Sequence, residues 1–516
     1  MDTYDVALGK RLISTGAGVF LGNVSGFIIG IITIIAVARL LGPSSYGTYT
    51  IAVSYYLLID AASSYGFGQY LNKHLAGYDK KDKAHLANVA SAGIFLSVVF
   101  GVATTCISIF IAYFIANAYA KAGISFFSLF IASLVILFAV PFGSITGALI
   151  GLNKAKQMAI ATIVENSTQL IFSVLFIIFG MGANGAVLGI VIGYFAGLVY
   201  AMGKMFGLFG KALIRLPSRE FVSSALKFSL PLGVTNIMSS SVMQFSSLLL
   251  GIFVAADLIG NYGIATRSTF GMNALYASFY LTLLSGFSII ANKSSDSKYA
   301  KKLAFAYDKL LFYSLILSLP ILVFIAVLSR PLVFLMVSSH YTYAPKYLSL
   351  IAIGAIIMLI GRFASSVLVA KNYTSKVMVY SAASTAAQLV FLLLLVPFYK
   401  VIGAIVAIFF VGSIVSSLFF VNGARKLLGL KFDYVLASKA VLANVLLALL
   451  LIPANLLHSN SLALAYGALI CIAAYPPILG LSGTLKKEHI KEIRKILEGF
   501  PVALNRFLDY ASLFAR

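Results

Sequence analysis

The chain has 516 residues, of which 61% are hydrophobic and only 10% are charged, against about 25% charged residues in soluble proteins. Together with a mean hydropathy of +1.00, this composition excludes a water-soluble globule, a disordered chain and a coiled coil. The apolar runs are about twenty residues long, which is the length of a membrane-spanning helix and about twice that of a barrel strand. We therefore predict an all-α integral membrane protein.

Fourteen apolar segments predict membrane-spanning helices. They cover residues 14–40, 46–70, 87–115, 124–151, 157–179, 185–209, 225–254, 258–291, 303–328, 345–370, 376–396, 401–424, 437–456 and 462–484. A shorter apolar piece at 331–337 is either an outer re-entrant turn or part of the ninth or tenth span. The first span lacks a small-residue cleavage site, so we expect a retained helix and not a signal peptide.

The net charge of +23 is a signal of membrane topology. If the N-terminus is cytoplasmic, 31 of the 38 Lys and Arg residues lie in inner segments and five in outer ones. This asymmetry favours an even number of spans, with both termini on the cytoplasmic side of the plasma membrane. The cations then match anionic lipid of the inner leaflet, and we expect no binding of nucleic acid.

Segments of the two halves resemble each other at a nearly constant offset. Residues 47–52 (GTYTIA) match 260–265 (GNYGIA) at offset 213, and 169–172 (QLIF) match 388–391 (QLVF) at offset 219. Six spans separate the copies, so both copies point the same way and are related by an axis along the membrane normal. We predict two six-helix lobes around a central cavity that opens to one side of the membrane at a time.

The repeat sets the predicted domain boundaries. The first lobe covers residues 1–219 and the second covers 220–430. Spans 13 and 14, within 431–485, form an appended pair that is either structural filler or a slot for a lipid tail. In residues 486–516, apolar and basic side chains alternate at helical spacing, which predicts an amphipathic helix at the inner membrane surface.

A short motif links the first two spans. Residues 38–49 read ARLLGPSSYGTY, and Gly42-Pro43 is predicted to end one helix because proline cannot continue the hydrogen-bond ladder. This segment resembles the opening signature of Wzx-type polysaccharide-biosynthesis flippases, in the multidrug/oligosaccharidyl-lipid/polysaccharide (MOP) exporter superfamily. The spans and the repeat are similar to that superfamily over the whole chain. The resemblance implies a MATE-like fold that moves a polyprenyl- or dolichyl-linked oligosaccharide to the outer leaflet.

Four ionisable side chains fall in the interior of predicted spans, away from the span ends: Asp60, Glu165, Arg267 and Arg362. A charge at mid-bilayer costs roughly 2.5–3.5 kcal/mol, so such residues normally face a cavity or a partner. Arginine offers a planar fork of donors suited to phosphate. We predict that Arg267 and Arg362 bind a diphosphate, assisted by Arg39 at the outer mouth. Alternatively, Arg362 pairs with Glu165 or Asp60 in a structural ion pair, which would be a candidate gate.

Neutral and acidic residues complete the predicted site. Asn23, Asn236 and Gln244 either bind sugar hydroxyls or bridge helices. Asp60 and Glu165 are candidates for gating or for coupling to a Na⁺ or H⁺ gradient. The rival functions are a cation-coupled MATE-type exporter of small molecules, a flippase of undecorated lipids or cell-wall precursors, and a non-transporting scaffold. Span 1 has no acid in its interior, which argues against MATE-type coupling.

The sequence lacks the motifs of an enzyme or a metalloprotein. None of its Gly-Lys pairs is followed by Ser or Thr, as a phosphate-binding loop requires, and its five histidines are scattered. Both cysteines lie in apolar runs, so we expect no disulfide framework. We predict no catalytic activity, no ATP hydrolysis, no metal and no cofactor. We expect a monomer, with glycan-assembly proteins as candidate partners.

Overall fold

A computed structural model describes residues 3–63, 66–76, 83–269, 315–371, 373–428, 434–482 and 513–514. The regular structure within these ranges is helical throughout. The α-helices are α1 (Thr3–Ser63), α2 (Phe67–Ala76), α3 (Lys83–Ile115), α4 (Phe126–Gly151), α5 (Ala155–Phe176), α6 (Gly182–Phe209), α7 (Arg219–Phe253), α8 (Ala256–Ser268), α9 (Leu315–Val327), α10 (Ser329–Met336), α11 (Ala344–Ala370), α12 (Thr374–Ile405), α13 (Gly412–Leu428), α14 (Tyr434–Leu451) and α15 (Asn460–Leu481). Shorter 3₁₀ or π segments cover Ala116–Ala122, Ile177–Met181, Gly210–Ile214, Val406–Val411 and Ile452–Leu456.

Three of the long helical segments are broken, and each holds two predicted spans. A straight α1 would be about 92 Å long, three times the hydrocarbon core. It breaks at Gly42 (φ 70°, ψ 175°), directly before Pro43, as the sequence predicts. The α5–α6 hairpin turns at Gly180 and Gly182, where φ is 85° and 54°. The third break lies at Lys400, where φ is 53° and ψ is −129°.

The fourteen predicted spans are all represented in the described ranges. Eight segments are long and apolar enough to cross a membrane, and a ninth forms if α9 and α10 count as one bent span. The three broken segments each supply two spans, and α7 and α8 carry the seventh and eighth. The rest of the eighth span, the start of the ninth and the amphipathic segment after residue 482 lie outside the described residues. The fold is that of a multi-pass membrane protein.

The structure changes one predicted boundary and shows the geometry of the apolar piece at 331–337, whose two alternatives stay open. The second span was predicted to run to residue 70, but α1 ends at Ser63, and Gly66 adopts a φ of 75° before α2. The hydropathy of the sequence does not reveal this bend, because one face of α2 is also apolar and buries Phe67 and Leu71. The apolar piece at 331–337 lies in a separate helix, α10, bent by 73° from α9.

The described chain divides into two compact units, Met1–Gly263 and Ile264–Arg516. In the first unit, α3 pairs with α4, α5 pairs with α6, and α1 packs on α4, α5, α6 and α7. Its core centres on Phe67, Leu71 and Ile145, all fully buried. The predicted lobe boundaries at residues 219 and 430 stay predictions.

In the second unit, α11 packs on α13, and α14 packs on α15. Leu359 and Leu368 of α11 lie in one core with Leu322 of α9. The appended pair is fastened to the rest of this unit by a hydrogen bond, since the Tyr475 hydroxyl donates to the Ile316 carbonyl at 2.9 Å. The pair is therefore an integral part of the second unit.

The predicted repeat recurs in the contacts of each unit by itself. In the first unit, a Cβ added to Gly193 would lie 2.8 Å from Cβ of Gln169. In the second unit, a Cβ added to Gly412 would lie 2.6 Å from Cγ of Gln388. Both pairs are related by the offset of 219 that links the two QL(I/V)F segments. The same glycine-on-glutamine packing thus closes both helix hairpins.

Candidate functional site

The α5–α6 hairpin of the first unit holds a buried carboxyl group. Four glycines recur at every fourth residue of α6 and form one smooth face: Gly185, Gly189, Gly193 and Gly197. The α5 backbone lies so close to this face that a Cβ at Gly197 would fall 2.7 Å from Cβ of Glu165. Ser173 locks the register, because its hydroxyl donates to the Ala186 carbonyl at 2.9 Å. The hairpin therefore fixes Glu165, whose side chain is 6% exposed.

Asn166 is the hydrogen-bonding partner of Glu165. Its Nδ2 donates both to the Glu165 carboxylate and to the Thr162 carbonyl, the latter at 2.9 Å. Within the described residues, no lysine or arginine pairs with Glu165 or with Asp60. A neighbouring amide leaves a carboxylate either free to take up a proton or free to accept a monovalent cation. The ion-coupling role of Glu165 and Asp60 stays a prediction.

Tyr194 lies near both predicted acids. It follows Gly193 on α6 and is within electrostatic range of Glu165, Asp60 and Tyr56. Its ring packs edge-on against Phe142 of α4, with the ring centroids 5.7 Å apart. Asp60 itself is half-buried near the end of α1. Asp60 and Glu165 therefore lie in the same region of the first unit, around Tyr194, and we call this region the Glu165 cluster.

The first half of α1 forms another wall of this cluster. A Cβ at Gly26 would lie 3.2 Å from Cγ2 of Thr162 and 3.6 Å from Nδ2 of Asn166. Asn23 lies three residues before Gly26 on α1, but its side chain is outside the described part of the structure, as is that of Asn236 on α7. Gln244 of α7 is half-buried. The sugar-binding roles of these three residues stay predictions.

The three arginines occupy different places. Arg39 is exposed three residues before the break at Gly42, and it belongs to the first unit. Arg267 is half-buried in the last turn of α8, and Arg362 is half-buried in α11; both belong to the second unit. Their predicted role as phosphate ligands, and the alternative ion pair, stay predictions.

The two copies of the repeat motif are in direct contact within the first unit. A Cβ at Gly47 would lie 1.7 Å from the Ala256 carbonyl oxygen, and a Cβ at Gly260 would lie 2.0 Å from the Pro43 carbonyl oxygen. Thr50 meets Gly263 one turn further along. The second half of α1 and the start of α8 therefore cross backbone to backbone, and each motif supplies the glycine that admits its partner.

Sequence reasoning missed Tyr194, Asn166 and the glycine face of α6. Uncharged polar residues cost less in a membrane than ionised ones, so neither Tyr194 nor Asn166 stands out in a search for charges. The four-residue period of the glycines was the available signal, because small residues at that spacing mark a close helix contact. It predicts a close contact on α6 without identifying the side chains opposite.

Comparison with known proteins identifies the family. Residues 36–346, more than half of the chain, match the profile of the polysaccharide biosynthesis protein family. The chain belongs to this family. The matched region contains the linking motif, the α5–α6 hairpin with Glu165, and Arg267. A search of curated protein sequences gives no match.

Solved structures of transporters share the fold of this chain. The lipid II flippase MurJ, in an inward closed conformation, matches with a TM-score of 0.70 and 16% identity, over 91% of this chain and 98% of that chain. An inward-facing multidrug-resistance MATE transporter matches with a TM-score of 0.60 and 16% identity, over 78% and 94%. A MOP superfamily transporter from Pyrococcus furiosus, described as having a binding pocket of reverse polarity, matches with a TM-score of 0.53 and 18% identity. The match covers 81% of this chain and 96% of that chain.

Proposed function

We propose that this protein is a flippase that moves a polyprenyl- or dolichyl-(di)phosphate-linked oligosaccharide from the cytoplasmic to the outer leaflet. The observation that carries the proposal is the combination of a polysaccharide-biosynthesis family match with the fold of a lipid II flippase over nine-tenths of the chain. That neighbour's cargo is a lipid, and this family's product is a glycan. A lipid-linked glycan satisfies both.

Charge supports an anionic cargo. Arg267 and Arg362 are half-buried within membrane helices, where an isolated cation is costly unless it faces a polar partner or a cavity. A diphosphate suits a guanidinium group, because it accepts the paired hydrogen bonds of that group. Arg39, exposed three residues before the helix break in the first unit, is proposed to attract an anionic cargo. A cationic drug would be repelled by this set.

Alternating access is the mechanism that fits this fold. Flipping requires the cargo's head group to lose contact with one membrane face before it reaches the other, and no nucleotide need be hydrolysed. The Gly47–Gly260 crossing closes α1 against α8 without an intervening side chain. We assign this crossing as the outer closure, which separates when the head group leaves.

The test is a flipping assay in proteoliposomes with a fluorescent lipid-diphosphate sugar. Each of Arg267→Ala and Arg362→Ala removes a charged hydrogen-bond donor and should lower the flipping rate by about 10- to 150-fold. Arg330→Ala is the matched control, because Arg330 is exposed and stacks at 5.6 Å over the ring of its own helix neighbour Phe334. Equal rates for the three variants and the parent would overturn the assignment of the arginines.

A cation-coupled exporter of the MATE type is the second candidate, and the Glu165 cluster favours it. The buried carboxyl without a basic partner is suited to carry a proton or Na⁺ through the cycle. Glu165→Gln keeps the shape and should abolish any dependence of transport on a Na⁺ or H⁺ gradient. The matched control is Glu220→Gln, since Glu220 is exposed at the start of α7. Gradient-driven efflux of a cationic drug would favour the exporter; gradient-coupled flipping would add ion coupling to the flippase.

The setting of the protein follows from the same reasoning. We propose that the chain resides in the plasma membrane as a monomer with both termini in the cytoplasm. The basic segment after residue 485 anchors the chain at the inner surface or docks glycan-assembly proteins. Cysteine labelling from either side of the membrane tests the orientation of both ends.

A further inference from the structure

The helix α7 begins well before its membrane span. Its 35 residues, Arg219–Phe253, would measure about 52 Å, and the apolar core accounts for about 30 Å of that length. About twenty of the 35 residues are needed to cross that core, so the first ten, 219–228, lie past it or at its edge, on the side that the charge distribution predicts to be cytoplasmic. We call this segment the α7 extension.

The α7 extension is held rigidly against the first unit. The Lys73 ammonium group lies over the Phe228 ring, 4.8 Å from its centroid. The His74 ring packs perpendicular to the Phe228 ring, with the two ring centroids 5.3 Å apart. Phe221, two turns earlier, packs against the His85 ring at 5.2 Å. The linker that precedes α7 is fixed as well, because the Ser91 hydroxyl donates to the Arg215 carbonyl at 2.6 Å.

The opposite face of the extension is an open groove with a basic lining. It has a volume of about 330 Å³, and its walls are Pro217, Arg219, Val222, Ser223, Leu226 and Lys227. Arg219, Ser223 and Lys227 follow one another at four-residue spacing, so they form one polar stripe on the helix. Val222 and Leu226 border that stripe with apolar surface. Neither cation is paired with a carboxylate within the described residues.

The surroundings of the groove match a membrane surface. Leu216, the neighbour of Pro217, is 82% exposed, which is costly in water and favourable among lipid chains. From Lys204 to Lys227 the chain carries five Lys or Arg residues and one acid, Glu220. Cations next to exposed apolar side chains, at the end of a membrane span, are the arrangement that binds anionic lipid.

We propose that this groove binds the head group of an anionic phospholipid of the inner leaflet. The phosphate lies between Arg219 and Lys227 with Ser223 as a hydrogen-bond donor, and the first carbons of the acyl chains lie on Val222 and Leu226. The bound lipid ties the α7 extension to the membrane, whatever cargo the protein carries. This site goes beyond the proposed transport function.

The experiment uses the absence of tryptophan from the chain. Leu216→Trp introduces a single emitter beside the groove, in the full-length protein in nanodiscs. Its fluorescence should be quenched more by phosphatidylglycerol with a nitroxide near the head group than by the same label on phosphatidylcholine. Each cation near the membrane surface contributes about fivefold to the preference for phosphatidylglycerol over phosphatidylcholine. The double variant Arg219→Gln with Lys227→Gln should therefore lower this preference by roughly 30-fold.

The matched control removes two charges elsewhere on the same predicted membrane face. The double variant Lys154→Gln with Lys156→Gln should leave the preference unchanged; Lys154 directly precedes α5, and Lys156 lies in its first turn. An equal loss in both double variants, or no preference in the parent, would overturn the site in favour of diffuse surface charge. Displacement of the lipid by inorganic phosphate at constant ionic strength would overturn the lipid assignment in favour of a soluble anion. Size-exclusion profiles confirm that each variant is folded.

Discussion

The backbone crossing between α1 and α8 gives a quantitative prediction for Gly47→Ala. The added Cβ would lie 1.7 Å from the Ala256 oxygen and 2.6 Å from its carbonyl carbon. An ordinary carbon–oxygen contact is about 3.3 Å, so the two helices must separate by about 1.6 Å. Both obstructing atoms belong to the backbone, and no side-chain rotation relieves the clash. Overpacking of this kind costs about 1–3 kcal/mol.

That cost applies only to the conformation in which the crossing is closed. If the crossing opens during transport, Gly47→Ala shifts the population toward the open conformation by about 5- to 150-fold. Thr50 reports the shift, because it is 3% exposed and faces Gly263 across the crossing. With both native cysteines, Cys106 and Cys471, replaced by serine, Thr50→Cys should react faster with an impermeant maleimide by the same factor.

The control lies on the same helix. Gly30→Ala adds the same methyl group where no heavy atom lies within 4 Å, so it should leave the labelling of Thr50→Cys unchanged. If Gly47→Ala lowers thermal stability while the labelling rate stays at the control value, the crossing is a permanent contact. That result would refute its assignment as the outer closure.

Three further predictions concern the α5–α6 hairpin and the outer mouth. Gly193→Ala places a methyl group against α5 and should lower thermal stability by about 1–3 kcal/mol in a denaturation assay, whereas Gly203→Ala, on an open face of the same helix, should not. Tyr194→Phe should alter the gradient dependence of transport but leave stability nearly unchanged; Tyr200→Phe is its control, and an equal response of both variants would argue against the cluster. Arg39→Gln should raise the KM for an anionic cargo by no more than about fivefold, because exposed ion pairs contribute at most about 1 kcal/mol; a larger effect would place Arg39 deeper in the site.

The sequence predicted the membrane architecture because the relevant signals are local. Apolar runs of about twenty residues define spans, and the Gly42-Pro43 pair defines a break that the structure confirms. The bend at Gly66 was missed because α2 continues the apolar pattern on one face alone. Hydropathy reports the composition of a segment, whereas a single positive φ angle decides whether the helix continues.

The candidate site was predicted only in its charged members. Asp60 and Glu165 are conspicuous because ionised side chains are rare in spans. The position of Tyr194 relative to Glu165 depends on the register between α5 and α6. The glycines of α6 and the hydrogen bond of Ser173 set that register. This register is a property of two packed helices, so it cannot be predicted from the sequence of either helix alone.

The second copy of the repeat shows whether the packing of the hairpin requires an acid at the position of Glu165. At the offset of 219, Glu165 corresponds to Ser384 of α12, whose hydroxyl donates to the Gly412 carbonyl at 3.1 Å. The second hairpin thus closes with the same glutamine-on-glycine contact, and a neutral serine stands at the position of the carboxyl group. Packing alone therefore does not need an acid there. Because a buried carboxyl group costs free energy that a serine avoids, its presence in the first hairpin alone supports the proposed ion-coupling role of Glu165.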